Sequence, residues 1–347
     1  MVMSREPIAQ DGAAAQARPL LRIENLFVRY KTEDGVVNAV NGLDLELRAG
    51  DTLALVGETG AGKTTAALSV MRLLPQRTGK ITDGKIYFND IDLTTASSKQ
   101  MRRIRGFDVS MIFQDPMSSL NPVLTVGNQI AETLLFHNKK MSRLEASAKA
   151  DELLELVGIP SHRGSEYPHQ FSGGMKQRIV IAIALSCEPK LMLADEPTTA
   201  LDVTIQAQVL KLIKDLQEKL HMAMLLITHY LGVVAQTCDH VAIMYSGKVI
   251  ESGASRDIFL GDRHHPYTEG LFGSLPVITK KTRRLNPIDG MMPDPSNLPS
   301  GCAFHPRCPH CKDICREKQP AVAIDGAHRV RCHLFGQPDA ATEEVQA

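Results

Sequence analysis

Tryptophan is absent from the 347 residues, and aromatic side chains reach only 5%. Stacking of bases on aromatic platforms therefore has little to build on. Net charge is also missing, because 39 Lys and Arg balance 39 Asp and Glu. Affinity for phosphate backbones comes chiefly from clustered cations, so the balance argues against a general polyanion binder, and no nucleic-acid partner is expected. Long apolar runs are lacking too. The longest, Ile179 to Leu185, is far short of the roughly 20 residues a spanning helix needs. In Met1 to Arg18, Glu6 offsets Arg5 and Asp11 follows among Gln and Ala. That stretch has neither the basic start nor the apolar centre of a secretory leader. A tail on a cytosolic protein is expected, with its thiols reduced rather than paired in disulfides.

Three textures divide the chain. From Leu20 to about Gly253, short β-branched or apolar runs alternate with longer helical periods, which predicts an α/β core around a largely parallel sheet. Inside it, Val126 to Phe136, Leu144 to Val157 and Met175 to Leu185 carry apolar residues at helical spacing, and a helical insertion is placed there. From about Ser255 onward prolines become dense and a loop-rich appendage is predicted. The polar end, Gly336 to Ala347, reads as a disordered tail.

Thr52 to Val56 reads as a buried strand and runs into Gly57, Glu58, Thr59, Gly60, Ala61, Gly62, Lys63, Thr64 and Thr65, after which a helical pattern begins. Strand, G-x-x-x-x-G-K-T and helix in this order make a phosphate-binding loop. Its glycines let the backbone wrap phosphates, and the helix N-terminus adds partial positive charge. Lys63 is expected on the β- and γ-phosphates and the Thr64 hydroxyl on magnesium. Lys190 to Glu196 is an apolar strand ending in two acids. Asp195 suits a magnesium contact through water, and Glu196 suits a general base that polarises the attacking water. A further strand, Met224 to Ile227, ends in Thr228-His229, where a histidine can bond the γ-phosphate.

A second anion-binding element is Phe171-Ser172-Gly173-Gly174-Met175-Lys176-Gln177-Arg178. A hydroxyl, two unhindered amides and a helix start meet there. With this segment the sequence resembles the nucleotide-binding subunits of ABC transporters. The resemblance implies a P-loop ATPase core with a mostly parallel sheet, an antiparallel β subdomain and an α-helical insertion. It also implies a head-to-tail dimer in which each ATP lies between one P-loop and the partner's Ser172-Gly173-Gly174. Tyr30 then takes the place of the ring that stacks on adenine, and Gln114 that of a magnesium-contacting glutamine that couples to the membrane subunits. Ala200-Leu201-Asp202 resembles the loop linking the two sites, and His229 the switch histidine. Met175 and Tyr230 depart from the commonest family residues.

Gln114 to Pro122, His265-Pro266-Tyr267-Thr268 and a cysteine-bearing end resemble the branch that imports oligopeptides, dipeptides or nickel. Its C-x5-C-x6-C spacing plus a distal cysteine is matched by Cys302, Cys308, Cys315 and Cys332, leaving Cys311 over. The resemblance implies a 4Fe–4S cluster on those four thiolates. Four cysteines satisfy structural zinc equally, and His305, His310 and His333 keep a mixed zinc site open. The implied division is a tail over 1–19, an ATPase domain over 20–257 with a helical part about 115–185, an extension over 258–335 and a tail over 336–347. The implied partners are two transmembrane permease subunits, a second ATPase subunit and, indirectly, an extracytoplasmic solute-binding protein. The implied location is the cytoplasmic face of the inner membrane. A soluble ABC ATPase acting outside transport, or a redox sensor built on the cysteines, are the competing readings.

Overall fold

The computed structural model describes residues 18–115, 119–199, 201–274 and 288–335. The expected tails, apart from Arg18 and Pro19, lie outside the described residues, as do Pro116, Met117, Ser118 and Ala200 of two motifs.

The chain opens with β1 (Leu21–Thr32) and β2 (Gly35–Leu47), paired antiparallel, then enters β3 (Thr52–Val56), all five residues of which are buried. After α1 (Lys63–Val70), β4 (Gly79–Phe88) returns to β1 and β5 (Ile91–Asp92) follows it, completing a four-stranded antiparallel sheet in the order 2-1-4-5. Helix α2 (Ser98–Ile104) leads to β6 (Val109–Ile112). The helical insertion is built from α3 (Val126–His137), α4 (Arg143–Leu156) and α5 (Gly173–Leu185), within two residues of the predicted limits. Ser142 starts α4 with a reciprocal cap: its hydroxyl accepts from the Glu145 amide, and the Glu145 carboxylate accepts from the Ser142 amide.

Next come β7 (Leu191–Asp195), α6 (Val203–Leu220), β8 (Ala223–Thr228), α7 (Leu231–Thr237), β9 (His240–Tyr245) and β10 (Lys248–Ala254). Strands β6, β7, β8, β3 and β9 run parallel in that spatial order. Both faces of these strands are covered, which explains their unbroken apolar sequences. Alternate residues serve two cores. Ala54, Val56, Met192, Ala194, Met224 and Leu226 face the helical insertion and α6. Leu53, Leu55, Leu191, Leu193 and Leu225 face α1 and the antiparallel sheet.

Among its described residues, the C-terminal segment carries more regular structure than proline density suggests, while 275–287 lie outside them. It forms α8 (Ser255–Leu260), α9 (Pro266–Gly273), α10 (Asp313–Glu317), β11 (Val322–Asp325) and β12 (His328–Arg331). Strand β12 pairs antiparallel with β10 and β11 with β12, so the extension adds two strands to the edge of the central sheet. A border between 257 and 258 falls inside α8. The extension also borrows the cassette's core, where Tyr267 and Phe304 are buried with Ile250, Ile258 and Tyr245. Beneath it the buried Glu251 carboxylate is fully used: Oε1 accepts from His264 Nδ1 at 2.8 Å and His328 Nε2 at 2.9 Å, and Oε2 from the His265 amide at 2.8 Å and Thr268 at 2.6 Å. A buried charge is tolerated when its lone pairs are answered in this way.

Candidate functional site

Parallel register brings the chemistry together. Val56 pairs with Thr228, Asp195 with Ile227, and Ile112 with Ala194. The carboxyl ends of β3, β6, β7 and β8 therefore share one edge of the sheet, the place where open α/β sheets bind ligands. From those ends project Gly57 to Thr65, Gln114, Asp195 with Glu196, and His229.

The loop after β3 needs its glycines for room. A Cβ on Gly57 would collide with the Met244 carbonyl oxygen, and one on Gly62, at φ +99°, with that of Ala39. Lys63 is buried, and its ammonium donates to the carbonyls of Gly57 at 2.6 Å and Glu58 at 2.9 Å. Burial lowers its pKa, against the opposing pull of the Glu196, Asp195 and Glu58 charges. Thr64 is exposed at the start of α1, and Thr65 Oγ1 lies 3.3 Å from the Tyr30 hydroxyl. The Tyr30 ring thus borders this loop.

Asp195 is 2% exposed, and its Oδ1 has no hydrogen-bond partner. Burial raises its pKa and the neighbouring Glu196 charge adds to this, while a hydrogen bond with Thr64 and the Lys63 charge oppose it. An orphaned buried carboxylate oxygen on a residue bonded to the Thr64 hydroxyl is a hard-oxygen donor pair, and it fits magnesium. Glu196 sits just past β7 with φ +44°, a costly conformation for a residue with a side chain. Its carboxylate accepts from Gln114 Nε2 at 2.9 Å and Thr199 Oγ1 at 3.0 Å, and His229 Nδ1 lies at 3.2 Å. Burial alone would raise its pKa, but the bonds from His229, Thr199 and Gln114 outweigh it and hold the group below its ordinary value. It is therefore an anion at neutral pH. The His229 ring packs on Tyr230 with centroids 4.1 Å apart, so the unusual tyrosine supports the histidine.

Ser172 and Gly173 are exposed at the start of α5, where the Ser172 hydroxyl accepts from the Met175 amide at 3.4 Å. The two glycines lie against Leu201 and Ile205.

In the extension, Cys315 and Cys332 are buried and Cys302, Cys308 and Cys311 half-buried. The Cys332 thiol, which burial pushes up to about 11, lies within electrostatic reach of Cys302, Cys308 and Cys315. Burial raises Cys302 and Cys308 as well. The Cys311 thiol turns to the Lys312 carbonyl at 3.6 Å. Among the described residues, the group of three ligand atoms mutually within 4.8 Å is Glu251, His264 and His328, with no group made of these thiols. Tetrahedral zinc, with sulfur about 2.3 Å away, would draw thiolates to roughly 3.8 Å from one another.

Two contacts were not foreseen from the sequence. Arg307 forms a two-pronged ion pair with Glu58, Nη1 to Oε2 at 2.7 Å and Nη2 to Oε1 at 3.2 Å. The Tyr267 hydroxyl accepts from the Glu58 amide at 2.9 Å. Both tie the C-terminal extension to the phosphate-binding loop.

A family model described as ABC transporter matches residues 40–199, and one described as the C-terminal region of oligopeptide/dipeptide transporters matches residues 250–315. The dipeptide transport ATP-binding protein DppD of Bacillus subtilis is 52% identical over 321 residues, covering 92% of this chain and 95% of that one. The oligopeptide transport ATP-binding protein AppD of the same organism is 51% identical, covering 92% and 98%. Among solved structures, the dimeric post-hydrolysis state of an ATP-binding cassette bound to ADP and Pi aligns with a TM-score of 0.61 and 26% identity, over 68% of this chain and 99% of that one. The cbiO1 subunit from Clostridium perfringens aligns at 0.60 with 28% identity, over 70% and 92%. With a cassette edge that gathers these motifs and relatives that span nearly its whole length, the chain belongs to the ABC transporter ATP-binding proteins, in the branch that carries the oligopeptide/dipeptide transporter C-terminal region, and it is an ATPase.

Proposed function

We propose that this chain hydrolyses ATP to drive import of di- and oligopeptides, as a peripheral subunit on the cytoplasmic side of a membrane transporter. The observation that carries the reading is the Glu196 carboxylate, held ionised one residue beyond Asp195 at the carboxyl edge of the sheet. Glu196 takes a proton from the attacking water, and Lys63, released from the Gly57 and Glu58 carbonyls, steadies the β- and γ-phosphates. Thr64, Asp195 and Gln114 would hold magnesium, which neutralises charge on the phosphates when bound. His229 bonds the γ-phosphate and orients Glu196, and Tyr30 stacks on adenine. Ser172, Gly173 and Gly174 serve the ATP of a second ATPase subunit. Described helices include none long and apolar enough to cross a membrane. In this reading two permease subunits supply the pathway and a solute-binding protein delivers the peptide.

The full chain co-expressed with its permease subunits is expected in the membrane fraction, with ATP hydrolysis that rises when peptide-loaded binding protein is added. Stimulation by nickel and not by peptides, or persistent absence from the membrane fraction, would overturn peptide import.

For the extension, we place a 4Fe–4S cluster on Cys302, Cys308, Cys315 and Cys332. Support comes from the nearness of Cys332 to Cys302, Cys308 and Cys315, while Cys311, though near Cys302 and Cys308, turns its own thiol to the Lys312 carbonyl. The donor set of four thiols with no carboxylate fits the group. Protein prepared without oxygen should be brown, with about four iron atoms and four sulfides per chain. Serine at any of the four positions should remove the colour, whereas Cys311→Ser should keep it. Stoichiometric zinc without iron sinks the assignment, and metal loss on Cys311→Ser sinks the choice of ligands.

A further inference from the structure

Glu58 is the first variable residue of the phosphate-binding loop, and it is held from several sides. Its amide is bound by Tyr267, its carbonyl by Lys63 and the Ala61 amide, and both carboxylate oxygens by Arg307. Two of these four partners, and both of those from outside the loop, belong to the C-terminal extension. Arg307 is itself fixed: its side chain is 4% exposed, Nε donates to the Asp289 carbonyl at 2.9 Å, and the guanidinium lies 6.0 Å from the ring centroids of both Tyr245 and Phe304. Tyr267 is fully buried, in edge contact with the rings of Tyr245 and Phe304. Glu58, by contrast, keeps 34% of its side chain exposed.

The asymmetry shows which side is the anchor. A rigid, aromatic-backed guanidinium grips a loop residue that has little packing of its own. Two-pronged charge-assisted bonds fix direction as well as distance, unlike an exposed single-point pair. Lys63 also bonds Glu58, but its ammonium is the group that turns to the phosphates when nucleotide binds. Tyr267 and Arg307 are the partners from outside the loop that hold Glu58 whether or not Lys63 is so engaged.

We propose that Arg307 and Tyr267 are positioning residues of the ATPase, acting from the C-terminal extension on Glu58 to hold the phosphate-binding loop in its receiving shape. The inference rests on the ATPase reading for its kinetic consequence, though not for its structural one. Holding a loop ready for its ligand lowers the ordering cost of binding. Loss of the restraint therefore acts on ATP capture more than on the chemical step.

Two measurements on the full chain test it. In Arg307→Met, KM for ATP should rise about tenfold while kcat stays within about twofold, the split expected when binding rather than transition-state contact is lost. Glu58→Gln, which alters only the partly exposed partner, should do the same, and the double variant should be no worse than either single one. Arg307→Lys should recover part of the loss, because an ammonium replaces the charge without the fork. In amide hydrogen exchange without nucleotide, the segment from Glu58 to Gly62 should exchange about tenfold faster in Arg307→Met, with the β3 and β8 amides unchanged. Wild-type KM and exchange in both single variants overturn the proposal, as do additive effects in the double variant. Faster exchange spread equally through the central sheet also overturns it, by making Arg307 a general stabiliser. A wild-type chain that hydrolyses no ATP sinks the ATPase reading instead, and the exchange comparison still decides the role of Arg307.

Discussion

Glu196→Gln is expected to lower kcat by about a hundredfold to ten-thousandfold, the range that a positioned general base contributes, with ATP still bound. The substitution keeps the shape of the side chain and its hydrogen-bonding length. It removes the negative charge that His229, Thr199 and Gln114 together keep ionised. An amide oxygen cannot take a proton from water at neutral pH, so the attacking water loses its base. Binding has no reason to weaken, because Glu196 is an anion and ATP is another. Removing a like charge from beside the phosphates favours the bound form. ATP that binds and is not consumed should accumulate in a closed dimer, visible as a doubling of mass on size-exclusion chromatography with ATP and its reversal with ADP. The backbone at φ +44° is no worse for Gln than for Glu, so folding should be unaffected. Hydrolysis at the wild-type rate would remove Glu196 from the role of base.

The parts of this site that sequence shows are those built from neighbouring residues. Thr52 to Thr65 is a strand, a turn and a helix start in one stretch, and each step has local rules for glycine, strand length and helix onset. Asp195 and Glu196 are legible because the apolar run before them can only be a buried strand, whose last residue must emerge at an end of the sheet. That the ends of β3, β6, β7 and β8 coincide follows from parallel pairing, which the alternation of strands and helices already implied.

The extension follows no such local rule. Strands β11 and β12 are four residues each and carry Arg, His and Asp among their apolar positions, so no run marks them as part of a sheet. Their place is set by the pairing of Glu251 with Val330 and Ser252 with Arg329. Arg307 and Glu58 are 249 positions apart, and no spacing rule reaches across that distance. His265-Pro266-Tyr267-Thr268 was readable only as a marker of the branch, since its work depends on what it meets. Thr268 and the His265 amide close on Glu251, and Tyr267 on the Glu58 amide. A weak signal did exist. An arginine set directly before one cysteine of a proline-rich segment, where most charge is solvated, invites the question of what buries it.

Ser172→Arg is expected to abolish ATP hydrolysis, by at least about a hundredfold, while the nucleotide affinity of the isolated chain stays within about twofold; a transition-state loss without a ground-state loss is the mark of a residue absent from the open site. Ser172 is exposed at the N-terminus of α5, and its hydroxyl accepts from the Met175 amide of its own chain. The neighbouring glycines pack on Leu201 and Ile205 rather than on the loop that holds Lys63. Among the described residues, nothing in one chain therefore makes ATP depend on this serine. An exposed helix start with a hydroxyl and two unhindered amides is suited to an anion supplied from outside. Arginine there costs the cap, about 1 kcal/mol of local helix stability, which α5 can absorb because Ile179, Val180, Ile181, Ala182, Ala184 and Leu185 are buried. It also places a long cation where a partner's triphosphate must dock closely, and the head-to-tail dimer cannot seal. The decisive comparison sets Ser172→Arg in the Glu196→Gln background. The single Glu196→Gln chain should dimerise with ATP and the double variant should stay monomeric while still binding nucleotide. If the double variant dimerises as before, or if Ser172→Arg alone stops the monomer from binding ATP, the signature segment does not serve a partner's nucleotide.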